Sequence, residues 1–215
     1  MLASSTVSNL GDGIFLVALP LLTAQLTRDP AAVAGVAVAQ GLPWLAFSLV
    51  AGALVDRLDR RRVMWITDVA RAVLVAGLAL AVALDAHSVP MLYAVAFGLG
   101  LAETMFDNAA QAILPRLVPS TRLEAANGRL FAAQMLTNDF LGKPVGGLLF
   151  TIGAALPFWV DAGTFAVAAL LIALVPGSYR TVRTGPPRSL RTEIAEGLGW
   201  LWRHPVLRTL GVLLG

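Results

Sequence analysis

Long apolar runs separated by short polar stretches dominate the chain. A helix needs about 20 apolar residues to cross the hydrocarbon core of a bilayer, and six runs approach or exceed that length. They are roughly Ser8–Leu26, Ala31–Val55, Val63–Leu84, Pro90–Leu114, Leu130–Ile152 and Leu156–Val175. A seventh run begins near Val206 and stops at Gly215. The pattern predicts an all-α membrane protein.

The composition agrees with this interpretation. The chain is 57% hydrophobic and only 13% charged, whereas a soluble domain carries about 25% charged residues. We expect three parts: a six-span transmembrane bundle over residues 1–176, a cytoplasmic linker over 177–205, and the truncated start of a seventh span over 206–215. Within the linker, Arg188–Arg203 has leucines at helical spacing flanked by arginines. This favours a helix on the membrane surface, and an ordinary juxtamembrane connector is the alternative.

The basic residues lie on one side of the predicted bundle. If the loop Asp56–Arg62 is cytoplasmic, thirteen of the 16 lysines and arginines fall in cytoplasmic segments. Arg28 is outside, and Arg71 and Lys143 lie within spans. This positive-inside asymmetry predicts a multi-pass protein of the cell membrane with a cytoplasmic N-terminus. No nucleic-acid partner is expected, because the arginines cluster between apolar runs.

Several kinds of chemistry have no residues to support them. The chain has no cysteine and two histidines, which excludes disulfides, thiolate nucleophiles and Cys-ligated metals. It has no phosphate-binding loop, zinc-protease pattern or nucleophile elbow. We therefore predict no enzyme, no metal and no cofactor. Nothing in the sequence supports ATP hydrolysis.

Eight charged residues fall within predicted spans. Each would cost about 2.5–3.5 kcal/mol if it faced lipid at mid-depth, so they are expected to pair, to lie near an interface, to become neutral or to line an aqueous cavity. Asp68 with Arg71, and Asp139 with Lys143, have the spacing of pairs on one helix face. We interpret them as structural ion pairs, and the alternative is that one pair opens when the protein changes conformation during its function. The others are Asp12, Glu103, Asp107 and Asp161.

Polar stripes run along three of the spans. Glu103, Asp107 and Gln111 recur every four residues in the fourth span, and Asp12 follows Ser8 and Asn9 in the first. A milder stripe in the fifth span contains Gln134, Asn138 and Gly142. Carboxylates in such stripes are either buried, hydrogen-bonded packing groups or functional groups of a cavity.

The loop after the second span carries a specific motif. Gly52, Asp56, Arg57, Arg60 and Arg61 match the glycine-x-x-x-aspartate-arginine-x-glycine-arginine-arginine signature of the major facilitator superfamily. Asp59 replaces its second glycine. Other stretches over essentially the whole chain resemble the macrolide-efflux and siderophore-export subgroup, which belongs with the drug:proton antiporters. They include Ser8–Gly13, Asp68–Arg71, Pro115–Pro119, Phe158–Asp161 and Trp202–Arg208.

The fifth span departs further from that family. Drug:proton antiporters carry glycine-proline-x-x-glycine-glycine there, whereas this chain has Lys143 at the proline position. The corresponding residues, which would bend the span, are Gly142, Pro144, Gly146 and Gly147.

The resemblance implies a fold and roles for these residues. The fold would be the N-terminal six-helix bundle of the major facilitator family, with two inverted repeats of three helices. Spans one and four would line a central cavity, making proton-coupling or cavity residues of Asp12, Glu103, Asp107, Gln111, Gln134 and Asn138. The motif would be a cytoplasmic gate latch built from Gly52, Asp56, Arg57, Arg60 and Arg61, with Arg116 as a candidate partner for Asp56.

The expected function is secondary active transport: proton-coupled efflux of a drug-like or siderophore-like small molecule by alternating access. The expected partners are the bilayer, that substrate, protons and a missing C-terminal six-span half. A helix of about 10 residues cannot cross the bilayer, so the end of the chain within a seventh span predicts a fragment. The alternative is a non-transporting or dimerising six-span half-protein or partner subunit.

Overall fold

A computed structural model describes residues 2–175 and 177, without the side chains of Leu2, Arg116, Leu117 and Ser120. The described chain contains only helices, joined by short turns. They are α1 (Leu2–Leu26), α2 (Pro30–Val55), α3 (Arg60–Ala83), α4 (Val89–Leu117), a 3₁₀ turn (Ser120–Arg122), α5 (Leu123–Gln134), a π-helical segment (Met135–Gly142), α6 (Lys143–Ile152) and α7 (Leu156–Ala173).

The predicted all-α membrane fold is confirmed. Helices α1, α2, α3, α4 and α7 are each long and apolar enough to cross a bilayer. The fifth predicted run instead corresponds to α5, the π-helical segment and α6, which follow one another without a break. Of the predicted linker over 177–205 only Gly177 is described. The rest of that linker and the predicted start of a seventh span over 206–215 lie outside the described residues.

Aspartates begin two of the helices. Asp29 precedes α2, and its Oδ1 accepts a hydrogen bond from the backbone N–H of Ala31 at 2.9 Å. Asp59 precedes α3 and accepts from the backbone N–H groups of Arg61 and Arg62 at 3.1 and 3.4 Å. Each carboxylate satisfies donors that a helix N-terminus leaves unpaired. The prediction that Arg60–Arg62 belong to a loop was therefore wrong: these residues form the first turn of α3.

Two apolar clusters stabilise the bundle at different heights. The larger one joins α1, α3, α4 and α7 and is built around residues such as Phe15, Leu78 and Phe158. The smaller one includes Met64 of α3 and Ile113 of α4. Between the residues of these clusters, α3 carries Asp68 and Arg71, and α4 carries Glu103; Asp107 lies beside Phe106 of the smaller cluster. A layer of charged side chains therefore crosses the middle of an otherwise apolar bundle.

Helix α1 packs closely against the fifth predicted span. A Cβ built on Gly13 would overlap the backbone of Asn138, and one built on Gly146 would lie 2.6 Å from the carbonyl oxygen of Ile14. Such contacts are possible only where side chains are absent, as in other helix pairs within membranes. Pro144 lies in the first turn of α6, directly after the π-helical segment. Proline has no N–H to donate, which favours a change of helical hydrogen bonding there.

Candidate functional site

A polar cavity of about 310 Å³ lies among α1, α4 and α5. Its polar wall follows the stripes of the sequence, because residues three and four apart share one helix face. The lining residues include Ser5, Ser8, Asn9 and Asp12 of α1, Glu103, Asp107 and Gln111 of α4, and Asn127 and Gln134 of α5. Five of the six predicted cavity residues are therefore brought together.

Two carboxylates of α4 also reach a second opening. Glu103 and Asp107 line a cavity of about 340 Å³ together with residues of α1 and α2, among them Gln40 and Trp44. Gly100 allows α2 to approach α4, since a Cβ there would overlap the backbone of Gln40. The α4 carboxylates thus face open space on both sides of the helix.

Arg71 connects the cavity to the interior of the bundle. Its side chain is buried, and Nη1 lies 3.8 Å from Asp68 Oδ1 on the same helix and 3.9 Å from Asp12 Oδ2 on α1. The same nitrogen donates to Ser8 Oγ at 3.3 Å. The predicted pair of Asp68 with Arg71 is thus part of a larger cluster. Sequence spacing identified the partner on the same helix but gave no signal for Asp12.

Aromatic rings enclose the Arg71 guanidinium group. Its central carbon lies 5.2 Å from the ring centroid of Phe106 on α4 and 5.1 Å from that of Phe165 on α7. Such cation–π contacts stabilise a cation that has left water. Sequence reasoning missed both rings, because two phenylalanines on an apolar span are ordinary core residues by pattern alone.

Asp161 is a further buried carboxylate beside the cavity helices. Its side chain is fully buried on α7, and its Oδ1 accepts a hydrogen bond from Thr164 Oγ1 at 3.4 Å. A Cβ on Gly11 of α1 would overlap this carboxylate. Asp161 therefore lies at the contact between α1 and α7, next to the polar stripe of α1.

Three predicted site residues lie away from the cavity. Asn138 of the π-helical segment is not among the lining residues, and its backbone contacts Gly13 instead. Lys143 Nζ lies 2.6 Å from Asp139 Oδ1, and both side chains are partly exposed, at 42% and 47%. This pair faces outward from the bundle rather than toward Asp12.

The loop between α2 and α3 is held by several charged contacts. Arg60 Nη2 donates to Asp56 Oδ1 at 3.0 Å. Arg61 donates to the backbone carbonyls of Ile172 and Ala173 at the end of α7, at 3.1 and 2.5 Å, and to that of Gly177 at 3.2 Å. The arginine thereby caps the exposed carbonyls of a helix C-terminus.

The remaining members of the loop motif have other positions. A Cβ on Gly52 would lie 3.4 Å from Asn108 Oδ1, which makes this a tight contact between α2 and α4. Arg57 lies in the turn that follows α2. The side chain of Arg116, the predicted partner of Asp56, lies outside the described part of the structure. Among the described residues, no group of three or more histidines, aspartates or glutamates is placed to hold a metal ion.

A helical bundle with a polar cavity between apolar, membrane-crossing helices is typical of a membrane transporter. A family model of the Major Facilitator Superfamily matches residues 1–215, and the chain belongs to that family. It is therefore a multi-pass membrane protein of a transporter family.

Several curated relatives of the chain are named as efflux pumps or transporters. It is 36% identical to the multidrug efflux pump Tap of Mycolicibacterium fortuitum, over 99% of this chain and 54% of that protein. It is 32% identical to the multidrug efflux pump Tap of Mycobacterium tuberculosis strain H37Rv, over 99% of this chain and 52% of that protein. An uncharacterized MFS-type transporter of Bacillus subtilis, YfiS, is 28% identical over 97% of this chain and 50% of its own length. The chain spans about half the length of these relatives.

Proposed function

We propose that this chain contributes the N-terminal bundle of a secondary active transporter that expels a drug-like or siderophore-like small molecule in exchange for protons. The observation that carries the proposal is the acidic cavity between α1 and α4, which concentrates Asp12, Glu103 and Asp107 in the middle of an apolar bundle. Membership of a transporter family and relatives named as multidrug efflux pumps support it.

The carboxylates would serve both proton and substrate. An ionised carboxylate in a site of low dielectric constant is costly unless a cation neutralises it. A proton and a cationic group of a substrate can each do so, and they compete for the same oxygens. Exchange at Asp12, Glu103 and Asp107 would therefore couple proton entry to substrate release. In this proposal the three carboxylates of α1 and α4 bind the proton and the substrate in turn.

Alternating access requires a second bundle, which the proposal assigns to the missing C-terminal half. Two bundles that rock about a site at mid-membrane would expose the cavity to each side in turn. The proposal places the protein in the cell membrane with its N-terminus in the cytoplasm, as the arginine distribution predicts. The loop of Gly52, Asp56, Arg57, Arg60 and Arg61 would then be a cytoplasmic gate latch, with Arg116 as a candidate partner for Asp56.

The alternative of a non-transporting or dimerising half-protein is not favoured. The family is one of transporters, and the named relatives are efflux pumps or transporters.

Transport by the intact protein can be measured in inverted membrane vesicles. A proton gradient is established, a fluorescent amphiphilic cation is added, and both its uptake and the resulting loss of the gradient are followed. We expect uptake that stops with a protonophore. Asp12→Asn, Glu103→Gln and Asp107→Asn should each reduce proton-linked uptake at least tenfold. Unlike a carboxylate, an amide does not ionise at neutral pH and so cannot bind and release a proton during the cycle.

Asp29→Asn is the matched control. It is also a carboxylate-to-amide change, but Asp29 is an exposed N-cap in the turn before α2 that lines neither cavity. Asparagine caps a helix as well as aspartate does. This variant should transport as the wild type does. If all three cavity variants keep the coupled uptake of the wild type, the assignment of proton coupling to this cavity is wrong.

A further inference from the structure

Arg71 lies midway between two carboxylates and forms a close pair with neither. Nη1 is 3.8 Å from Asp68 Oδ1 and 3.9 Å from Asp12 Oδ2. A charge-assisted hydrogen bond would bring each pair to about 2.8 Å. Nη2 and both oxygens of Asp68 are buried without a hydrogen-bond partner. One cation is thus shared by two competing anions, and the arrangement can gain a full hydrogen bond by moving toward either one.

The two competing anions differ in their surroundings. Asp12 is 14% exposed and lines the cavity, whereas Asp68 is fully buried on α3. A cation that enters the cavity can therefore reach Asp12 but not Asp68. The energy of the Arg71–Asp12 attraction depends on cavity occupancy, and that of the Arg71–Asp68 attraction does not.

The aromatic residues define the path that the guanidinium group can take. Phe106 and Phe165 lie at nearly equal distances of 5.2 and 5.1 Å from its central carbon. Cation–π attraction extends to about 6 Å from a ring centroid. A small displacement of the guanidinium group therefore keeps the attraction to both rings.

We propose that Arg71 is an exchangeable counter-ion: it pairs with Asp12 while Asp12 is ionised, and it moves to Asp68 when a cation in the cavity neutralises Asp12. The cation is a proton or a positively charged group of a ligand. Asp12 belongs to α1, Arg71 and Asp68 belong to α3, and Phe106 and Phe165 belong to α4 and α7. The move therefore transmits the charge state of Asp12 on α1 to the packing of α3, α4 and α7. Arg71 also lines the cavity wall, but in this exchange it acts through Asp12 and Asp68 and is a positioning residue.

Other charged groups act on the same arginine. Glu103 and Asp107 of α4 and Asp161 of α7 interact with Arg71 electrostatically, beside Asp12 of α1 and Asp68 of its own helix. All are anionic when ionised, so acidification can neutralise more than one of them. The test therefore has to isolate Asp12 by substitution and cannot rest on pH alone.

Solid-state NMR of the intact protein in lipid nanodiscs can locate the guanidinium group directly. Arginine is labelled with ¹⁵N and the aspartate carboxyl carbon with ¹³C, and their dipolar couplings are measured without substrate or gradient. In Asp12→Asn, which imitates a neutralised Asp12, we expect the coupling of Arg71 to Asp68 to strengthen, with the heavy-atom distance falling to about 2.8 Å. In Asp68→Asn, the coupling to Asp12 should strengthen instead.

The Arg60–Asp56 pair, at 3.0 Å, is an internal reference whose coupling should not change. A second arm adds the fluorescent amphiphilic cation to the wild type at constant pH, which should shift Arg71 toward Asp68 as Asp12→Asn does if a ligand cation neutralises Asp12. Equal, unchanged couplings in both variants would overturn the proposal and assign Arg71 a fixed structural role.

The inference rests on the proposed function for its place in a transport cycle, but its test does not depend on transport. If vesicles show no efflux while Arg71 changes partner, the proposed function is wrong and the exchange stands. If efflux is proton-coupled and Arg71 keeps the same partner, the proposed function stands and the proposed exchange is wrong.

Discussion

Gly142, at the end of the π-helical segment, lies against Gly13 of α1 backbone to backbone. A Cβ built on Gly142 would lie 2.8 Å from the Gly13 Cα and 2.8 Å from the carbonyl oxygen of Leu10. The contacting atoms belong to the main chain, so they cannot rotate away as a flexible side chain would. This crossing fixes the distance between α1 and the fifth predicted span, and hence the shape of the cavity wall.

Gly142→Ala should destabilise the protein. Alanine favours a helix over glycine by about 1 kcal/mol, but overpacking a close contact costs about 1–3 kcal/mol, and here the backbone itself must move. We expect a net loss of about 1–2 kcal/mol and a lower thermal unfolding midpoint of the detergent-purified protein.

Gly147→Ala is the matched control, because a Cβ there meets only Val17 Cγ1 at an ordinary 3.9 Å. The stability of this variant should be unchanged or up to about 1 kcal/mol higher, since alanine has a higher helix propensity than glycine and no overpacking opposes it. Alanine is thus predicted to destabilise the protein at position 142 but not at position 147. An equal change in the unfolding midpoint of both variants would show that α1 and the π-helical segment are not in close contact at Gly142.

Asp59 explains the departure of the loop from its family signature. A glycine is replaced by an aspartate that accepts hydrogen bonds from the N–H groups of Arg61 and Arg62. Asp59→Ala should lower the free energy of unfolding by about 1 kcal/mol, whereas Asp59→Gly should cost only a few tenths, because glycine is tolerated at an N-cap. Chemical denaturation in mixed micelles measures both. A larger loss for glycine than for alanine would contradict the capping role.

Arg61 stabilises the end of α7 from a different helix. Arg61→Ala removes its hydrogen bonds to the carbonyls of Ile172, Ala173 and Gly177, each made by a charged donor. Bonds from charged groups contribute about 1.5–3 kcal/mol when buried, and we expect less at this partly exposed site, about 1–2 kcal/mol. Hydrogen–deuterium exchange should become faster in the last turn of α7.

The neighbouring Arg62→Ala is the control for Arg61. Arg62 is an exposed residue of the same turn and carries the same charge. If both variants accelerate exchange in α7 equally, the effect follows from charge and not from the hydrogen bonds of Arg61.

Most helix positions could be predicted from the sequence, because apolar length and N-terminal caps are local signals. The α1 boundary shows where this fails. Hydropathy begins the first span at Ser8, whereas the helix begins at Leu2. Ser4 is buried there and donates to the carbonyl of Ala168 at 3.2 Å. The hydroxyl of Ser4 is hydrogen-bonded to α7, which is distant in sequence, but a hydropathy average still counts this serine as an unpaired polar residue.

The candidate site could be predicted only in part, for a related reason. Spacing of three or four residues places Asp68 beside Arg71 and aligns Glu103 with Asp107. Contacts across helices, such as Arg71 with Asp12, depend on how two helices are rotated about their axes, which spacing does not determine. For the π-helical segment, Pro144 signals a change of helical hydrogen bonding near its end, but spacing alone does not reveal its close contacts with α1 at Gly13.

Asp139 and Lys143 form an ion pair at 2.6 Å that faces outward, with side chains 47% and 42% exposed. In a bilayer, or beneath a second bundle, each charge would be costly without the other. Asp139→Asn and Lys143→Met should each destabilise the protein, because each leaves its partner's charge unpaired. The double variant removes both charges and should recover most of the loss. We expect a coupling energy of about 1–3 kcal/mol, measured by unfolding in lipid nanodiscs.

Asp56 and Arg60 give the comparison, since they share the same spacing of four residues. The Asp56 side chain is 61% exposed and that of Arg60 is 7% exposed. A fully solvated helix pair with this spacing contributes about 0.3–0.5 kcal/mol. If this pair lies at the aqueous end of the bundle, as the positive-inside pattern predicts, its coupling energy should remain in that range. A coupling for Asp139 and Lys143 as small as this would mean that their surface also faces water, and the position of the fifth span in the bilayer would have to be revised.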